Sequence, residues 1–181
     1  MVPISILTKK KILLTFILAG FIMTGTFAQY YNSLVRIDSS GLSYRFHVTN
    51  ETPRPHLSHI YFWFSSGRIH QTNGGYDGKL LHGEYKVTDL ERGLLEQGNF
   101  RMGRKWGNWY TWYPNGKLKS LTRHRSRHDR QIIEEYDAQG NWSRKGYIKK
   151  DLFTGRQQER IKDSTFVITY KKGIPEKNNP D

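Results

Sequence analysis

Apolar and polar positions alternate with a period near two through much of the chain beyond residue 28, and the clearest stretch runs from Gly98 to Leu118. Within it, Trp109 to Tyr113 is a β-prone run of four aromatics and a threonine, followed at once by Pro114-Asn115-Gly116-Lys117. A period of two puts successive side chains on opposite faces of a strand. Asn-Gly is the pair best suited to the positive φ angles of a two-residue hairpin turn. The stretch therefore predicts a hairpin turning at Asn115-Gly116.

The same pattern recurs on both sides. Gly67, Gly93, Gly116 and Gly140 lie 26, 23 and 24 residues apart, each followed two positions later by an apolar residue: Ile69, Leu95, Leu118 and Trp142. A second series, Gly83, Gly107, Gln131 and Gly155, has a constant spacing of 24, with Tyr85, Trp109 and Ile133 two positions beyond the first three. Two series in one phase predict tandem β-hairpin repeats over residues 61–173. Tyr61 to Ile69 opens the array with Ser66-Gly67 as its turn, and Asp163 to Gly173 supplies the last strand. Residues 29–60 do not match the pattern. Leu42 to Thr49 alternates as a strand, and Asn50 to Pro55 is a loop with two prolines. This segment is expected to cap a sheet edge that stacked repeats would leave open. The polar tail, residues 174–181, is expected to be mobile.

Residues 1–28 read differently. Lys9, Lys10 and Lys11 precede the apolar run Ile12 to Met23, and Thr26-Phe27-Ala28 has small residues at its outer positions. This is the pattern of a signal peptide cleaved near Ala28; the apolar run is shorter than the ~20 residues that span a bilayer. The expected location is the periplasm, the cell surface or the medium. The chain has no cysteine, which excludes disulfides, thiolate chemistry, Cys-ligated zinc and lipid attachment through cysteine.

Strand alternation sorts the aromatics. Tyr85, Trp109 and Ile133 share a face and are all apolar, as a stacked core requires. Burying one tryptophan removes ~150 to 250 Å² from water, about 4 to 6 kcal/mol as an upper figure. The opposite face carries Glu84, Lys86, Asn108, Tyr110, Trp112, Ile132 and Glu134. Tyr110 and Trp112 are thus the aromatics expected either to lie exposed, where they could stack on a sugar or grip a peptide, or to pack under the cap or a neighbouring chain.

Charge adds a second candidate surface. The formal net charge is +13, from 29 Lys and Arg against 16 Asp and Glu. Successive hairpins place alternate loops on alternate edges. One edge, residues 77–82, 101–106, 125–130 and 149–154, holds Lys79, Arg101, Arg104, Lys105, Arg125, Arg127, Arg130, Lys149 and Lys150 against Asp77, Asp129 and Asp151. The turn-glycine edge balances Arg68, Arg92 and Lys117 with Asp89, Glu91 and Asp137. With strands ~4.8 Å apart, equivalent loops fall ~10 Å apart and form a basic ridge. Its expected partner is an anionic envelope component, glycan or lipid headgroup, or an acidic protein. Nucleic acid is disfavoured because an exported protein seldom meets it, and uncovered sheet edges favour edge-to-edge self-association.

Catalytic patterns are weak. On a strand His124 and His128 lie about 13 Å apart and cannot chelate one ion. Glu134 and Glu135 are adjacent, so they point to opposite faces and form no acid/base pair. Asn73 to Lys79 superficially resembles a phosphate loop but lacks the Walker spacing and the hydroxyl after lysine. No Gly-x-Ser-x-Gly or His-Glu-x-x-His pattern occurs. No catalytic, metal or cofactor residue is assigned. The rival reading is a cell-envelope hydrolase whose site is assembled by long-range folding.

The run Gly-x-aromatic, a gap, then Gly-x-Trp-x-x-Trp-Tyr-x-Asn-Gly-x-Leu resembles the MORN repeat, in the variant of bacterial proteins labelled YwqK-family antitoxins. The resemblance covers roughly Tyr61 to Gly155 and is best in Gly98 to Leu118. It implies a row of antiparallel hairpins with a binding or scaffolding role and supplies no catalytic residues; the antitoxin label implies a toxin partner. The expectation is an all-β protein, tandem antiparallel MORN-like hairpins forming an elongated sheet after a signal peptide, which acts by binding and is not an enzyme.

Overall fold

Every strand among the described residues pairs antiparallel with its neighbours, and these residues contain no helix. The computed structural model describes residues 32–125, 130–150 and 152–176. The proposed leader, Arg127, His128, Asp129, Asp151 and residues 177–181 lie outside them. The strands are β1 (Ser33–Ser39), β2 (Leu42–Thr49), β3 (Ile60–Ser65), β4 (Arg68–Asn73), β5 (Lys79–Asp89), β6 (Gly93–Arg101) and β7 (Arg104–Trp112). They continue as β8 (Leu118–His124), β9 (Gln131–Tyr136), β10 (Trp142–Lys149), β11 (Leu152–Ile161), β12 (Ser164–Lys171) and β13 (Ile174–Pro175). The fold is an open all-β sheet in the order β1-β2-β5-β6-β7-β8-β9-β10-β11-β12-β13.

One hairpin leaves this row. Strands β3 and β4 pair with each other, and β3 joins the β5 ladder only at Trp63↔Leu80 and Phe64↔Lys79. The stretch beginning at Tyr61, expected to open the array, instead packs against the sheet, and β2 takes the place beside β5. The reason is its composition: both faces of β3 are apolar, so neither can be left to water. Phe62 and Phe64 pack into a core of Phe46, Val48, Leu81, Phe100 and Trp109, while Tyr61 and Trp63 pack with Leu80 on the other side. Phe62 N–H donates to Gly103 O at 2.7 Å, and Gly103 N–H donates to Leu81 O at 2.8 Å, fastening the hairpin to the β6–β7 turn.

The turns differ from expectation in one respect. All four members of the first glycine series have positive φ, from 73° to 89°, but Asn115-Gly116 is not a two-residue turn. Pro114 fixes a negative φ at the first central position, which selects a type I turn closed by Gly116 N–H to Tyr113 O at 2.9 Å, with Gly116 left-handed after it. Asp137 to Gly140 repeats the geometry. The two loops are stitched together: Tyr113 Oη–H donates to Tyr136 O, Asn115 Nδ2 to Ala138 O, and Lys117 Nζ to Gln139 O. The chain end also differs. Ile174 and Pro175, expected in a free tail, fold back through Lys172-Gly173 and pair with Lys171 and Tyr170.

The second glycine series marks bulges. Between Phe46↔Tyr85 and Val48↔Leu81, two steps of β2 face four of β5; β6 against β7 and β10 against β11 repeat this irregularity. Gly83, Gly107 and Gly155 sit in the extra lengths with φ of 92°, 69° and 71°. At β8 and β9, where Gln131 replaces glycine, the ladder runs unbroken from Ser120↔Glu135 to Arg123↔Ile132.

Two of the bulges have their gap filled by the side chain two residues after the glycine. Trp109 lies over Gly98, whose added Cβ would fall 2.3 Å from the indole, and its Nε1–H donates to Asn99 O at 3.1 Å. Gln157, fully buried, lies over Gly146 in the same way. Its amide accepts from Tyr147 N–H at 3.1 Å and donates to Tyr147 O and Thr154 O, both at 2.9 Å. An overpacked site costs about 1 to 3 kcal/mol. Gly98→Ala should therefore lower the melting temperature by several degrees, whereas Gly75→Ala, with nothing within 4 Å of its new methyl, should leave it within a degree or so. Equal melting temperatures for the two variants in a calorimetric scan would contradict this packing.

Candidate anion-binding site

Antiparallel order places the β6–β7, β8–β9 and β10–β11 turns on one edge of the sheet, successive ones two strand spacings or ~10 Å apart. These turns carry the basic residues of the sequence pattern. Arg101, Arg104, Lys105, Arg125, Lys149 and Lys150 all line one concavity of about 750 Å³. Arg130 is exposed and does not line it, and Arg127 lies outside the described residues. The wall facing the sheet comes from the segment before β3 and from the off-row hairpin: Ser58, His59, Ile60, Phe62 and Gln71.

The floor belongs to the sheet. Trp109, Thr111, Ser120, Thr122, His124 and Gln131 line it, held in register by Trp109↔Thr122, Thr111↔Ser120 and Thr122↔Ile133. The Thr111 and Ser120 hydroxyls are hydrogen-bonded at 2.7 Å. Trp109 is buried beneath Lys105, whose Nζ stands 4.0 Å from the ring centroid. That ammonium also pairs with Glu96 at 3.3 Å. Glu96 is the single carboxylate among the described lining residues, against six Lys and Arg side chains. A cleft lined by one sign of charge focuses its potential and raises the local concentration of counter-charged ligand.

His124 adds no positive charge at neutral pH. Burial, with the nearby Lys105 charge as a second cause, pushes its pKa down to about 4. Its ring packs edge-on to Trp109 at 6.1 Å. Among the described residues no group of three or more His, Cys, Asp or Glu is placed to hold a metal ion. Glu134 and Glu135 serve different partners: the first lies 3.1 Å from Lys145 and 3.4 Å from Arg123, the second 3.7 Å from Arg144.

Tyr110 and Trp112 are not part of this site. They stand on the face opposite Trp109, half-buried, with their rings stacked on each other at 5.9 Å and 26°. Asn108 Nδ2 donates to Tyr110 Oη at 3.2 Å. Exposure is therefore partial: the mutual stacking buries apolar area that each ring would otherwise show to water. The sequence reading also missed the floor hydroxyls, although Thr111 shares the strand parity of Trp109 and could have been read from it. No signal pointed to the wall, because it comes from the hairpin that leaves the row.

In comparison with known proteins, no family model, curated sequence or solved structure matches this chain.

The depressed pKa of His124 has a sign. An unfolded histidine gains its proton near pH 6.5, so below that value the unfolded chain binds a proton that the folded chain does not take up until about pH 4. Stability contributed by neutral His124 is present above pH 6.5 and lost as pH falls toward 4. Urea midpoints at pH 7 and pH 4.5 should fall less for His124→Gln than for the parent protein. An identical fall in both would show that the ring is not held neutral.

Proposed function

We propose that this is a non-catalytic, exported binding protein of the bacterial envelope, built of tandem MORN-like hairpins, whose basic edge holds an anionic component or an acidic protein partner. The observation that carries the reading is the convergence of six Lys and Arg side chains from three separate turns on one concavity with a single carboxylate among its described lining residues. Solubility alone requires no such convergence. Gly83, Gly107 and Gly155, spaced at multiples of 24 with positive φ in equivalent bulges, support the repeat part; the leader pattern of residues 1–28 supports export. Cations near an anionic surface contribute roughly 1 kcal/mol each in favourable cases, enough in sum for micromolar, salt-sensitive association.

The test is cosedimentation of the purified protein with bacterial envelope fractions in low and high salt. Replacing Arg101, Arg104 and Arg125 by serine should abolish pelleting. Replacing Arg92, Lys117 and Lys162, which sit in turns of the opposite edge, should leave it near the parent level despite the same change in net charge. Equal loss in both variants would reduce the effect to overall charge and sink the proposal.

A further inference from the structure

Resting on the reading of the concavity as an anion site, we infer that its ligand class is an acidic oligosaccharide: a chain of sugar rings carrying carboxylates. Two layers of chemistry point there. The outer layer is cationic, supplied by Arg101, Arg104, Arg125 and Lys150 from the turns. The inner layer is uncharged and rich in groups that both donate and accept hydrogen bonds, namely Thr111, Ser120, Thr122 and Gln131. A simple anion needs only the outer layer. A sugar ring bearing several hydroxyls and one carboxylate uses both, the hydroxyls against the floor and the carboxylate against the rim.

The shape separates this ligand from the other anionic classes. A bilayer surface is flat, and its headgroups would touch the rim without reaching a floor recessed behind the wall of His59, Phe62 and Gln71. Single-stranded nucleic acid binds on successive aromatic platforms, whereas here Trp109 is buried under the Lys105 ammonium at 4.0 Å and Trp106, the exposed ring among the described lining residues, has the Arg101 guanidinium 5.4 Å from its centroid, which leaves no row of free stacking faces. The rim extends from the β6–β7 turn to the β10–β11 turn, four strand spacings or about 19 Å. A disaccharide meets one turn; a longer oligomer meets all three, so affinity should rise with length until the rim is spanned and then level off.

The experiment is a fluorescence-polarisation titration of the full protein with labelled oligogalacturonates of increasing length. Polyglutamate with the same number of carboxylates is the ring-free control. The expected result is at least tenfold tighter binding of the longer oligogalacturonates than of polyglutamate. Thr122→Val, which removes a hydroxyl and keeps the β-branched shape, should weaken the sugar complex about five- to tenfold and leave polyglutamate unchanged. Arg104→Ser should weaken both. Equal affinity for the two polyanions with an inert Thr122→Val would overturn the sugar assignment while leaving the anion site standing. Failure to bind either would overturn both readings. Tighter binding to phosphatidylglycerol vesicles or to a single-stranded oligonucleotide than to any oligogalacturonate would replace the sugar by that ligand. Circular dichroism and melting of each variant separate loss of contact from loss of fold.

Discussion

A side chain inserted over a glycine of the neighbouring strand is the interaction on which the sheet depends. Each bulge lengthens one strand by two residues and withdraws backbone groups from the ladder. Buried backbone groups left without partners would cost about 1 to 3 kcal/mol each. Trp109 and Gln157 meet this demand with their own polar atoms, on Asn99 and Tyr147 respectively, while their bulk fills the space above Gly98 and Gly146. In these two bulges the solution uses three residues: a left-handed glycine to open the bulge, a side chain two positions later to fill it, and a glycine opposite to make room; the β2–β5 bulge keeps Gly83 but faces His47. Where Gln131 breaks the first requirement, Thr122 stands at the third and Ile133 pairs with it in a regular ladder. There both glycines of the arrangement are replaced together.

This constraint also shapes the surface. Bulges bend and twist the strand that carries them, and those of β5, β7 and β11 lie toward the edge where the basic turns emerge. On that edge the inner face is closed on one side by β3 and β4, which are packed on both faces and tied through Gly103 to the β6–β7 turn. The opposite edge is built differently. Its β7–β8 and β9–β10 loops are bonded to each other by Tyr113, Asn115 and Lys117, and its turns are balanced in charge. One edge is thus braced by its own hydrogen bonds, while the other presents cations around a recess. The outer face is held by exposed or half-exposed ion pairs such as Lys86 with Glu84 at 2.6 Å, whose net worth in water is small.

Much of this was legible in the chain because it follows from local rules. Alternation gave strand class and the burial of Trp109, and the bounds of Leu42–Thr49 agree with β2. Counting charges by edge needed only antiparallel order. What stayed hidden depends on contacts between distant segments. Nothing in residues 60–73 says that the hairpin will leave the row, since apolar alternation on both faces suits a covered strand as well as a stacked one. The stacking of Tyr110 on Trp112 was hidden for a different reason: parity put them on the polar face, but neighbouring rings two residues apart shield each other. Pro114 did carry a local signal against the two-residue turn, and the Asn-Gly pair obscured it.

The claim that ties fold to function is that anionic ligand sits in the recess of one edge and not on the protein's charge at large. Hydrogen–deuterium exchange of the protein with and without a saturating polyanion reads this directly by segment. Exchange should slow in residues 99–106, 120–125 and 146–150 and stay unchanged in residues 89–93, 113–117 and 137–141. Slowing at the second set, or uniform slowing across both, would contradict it.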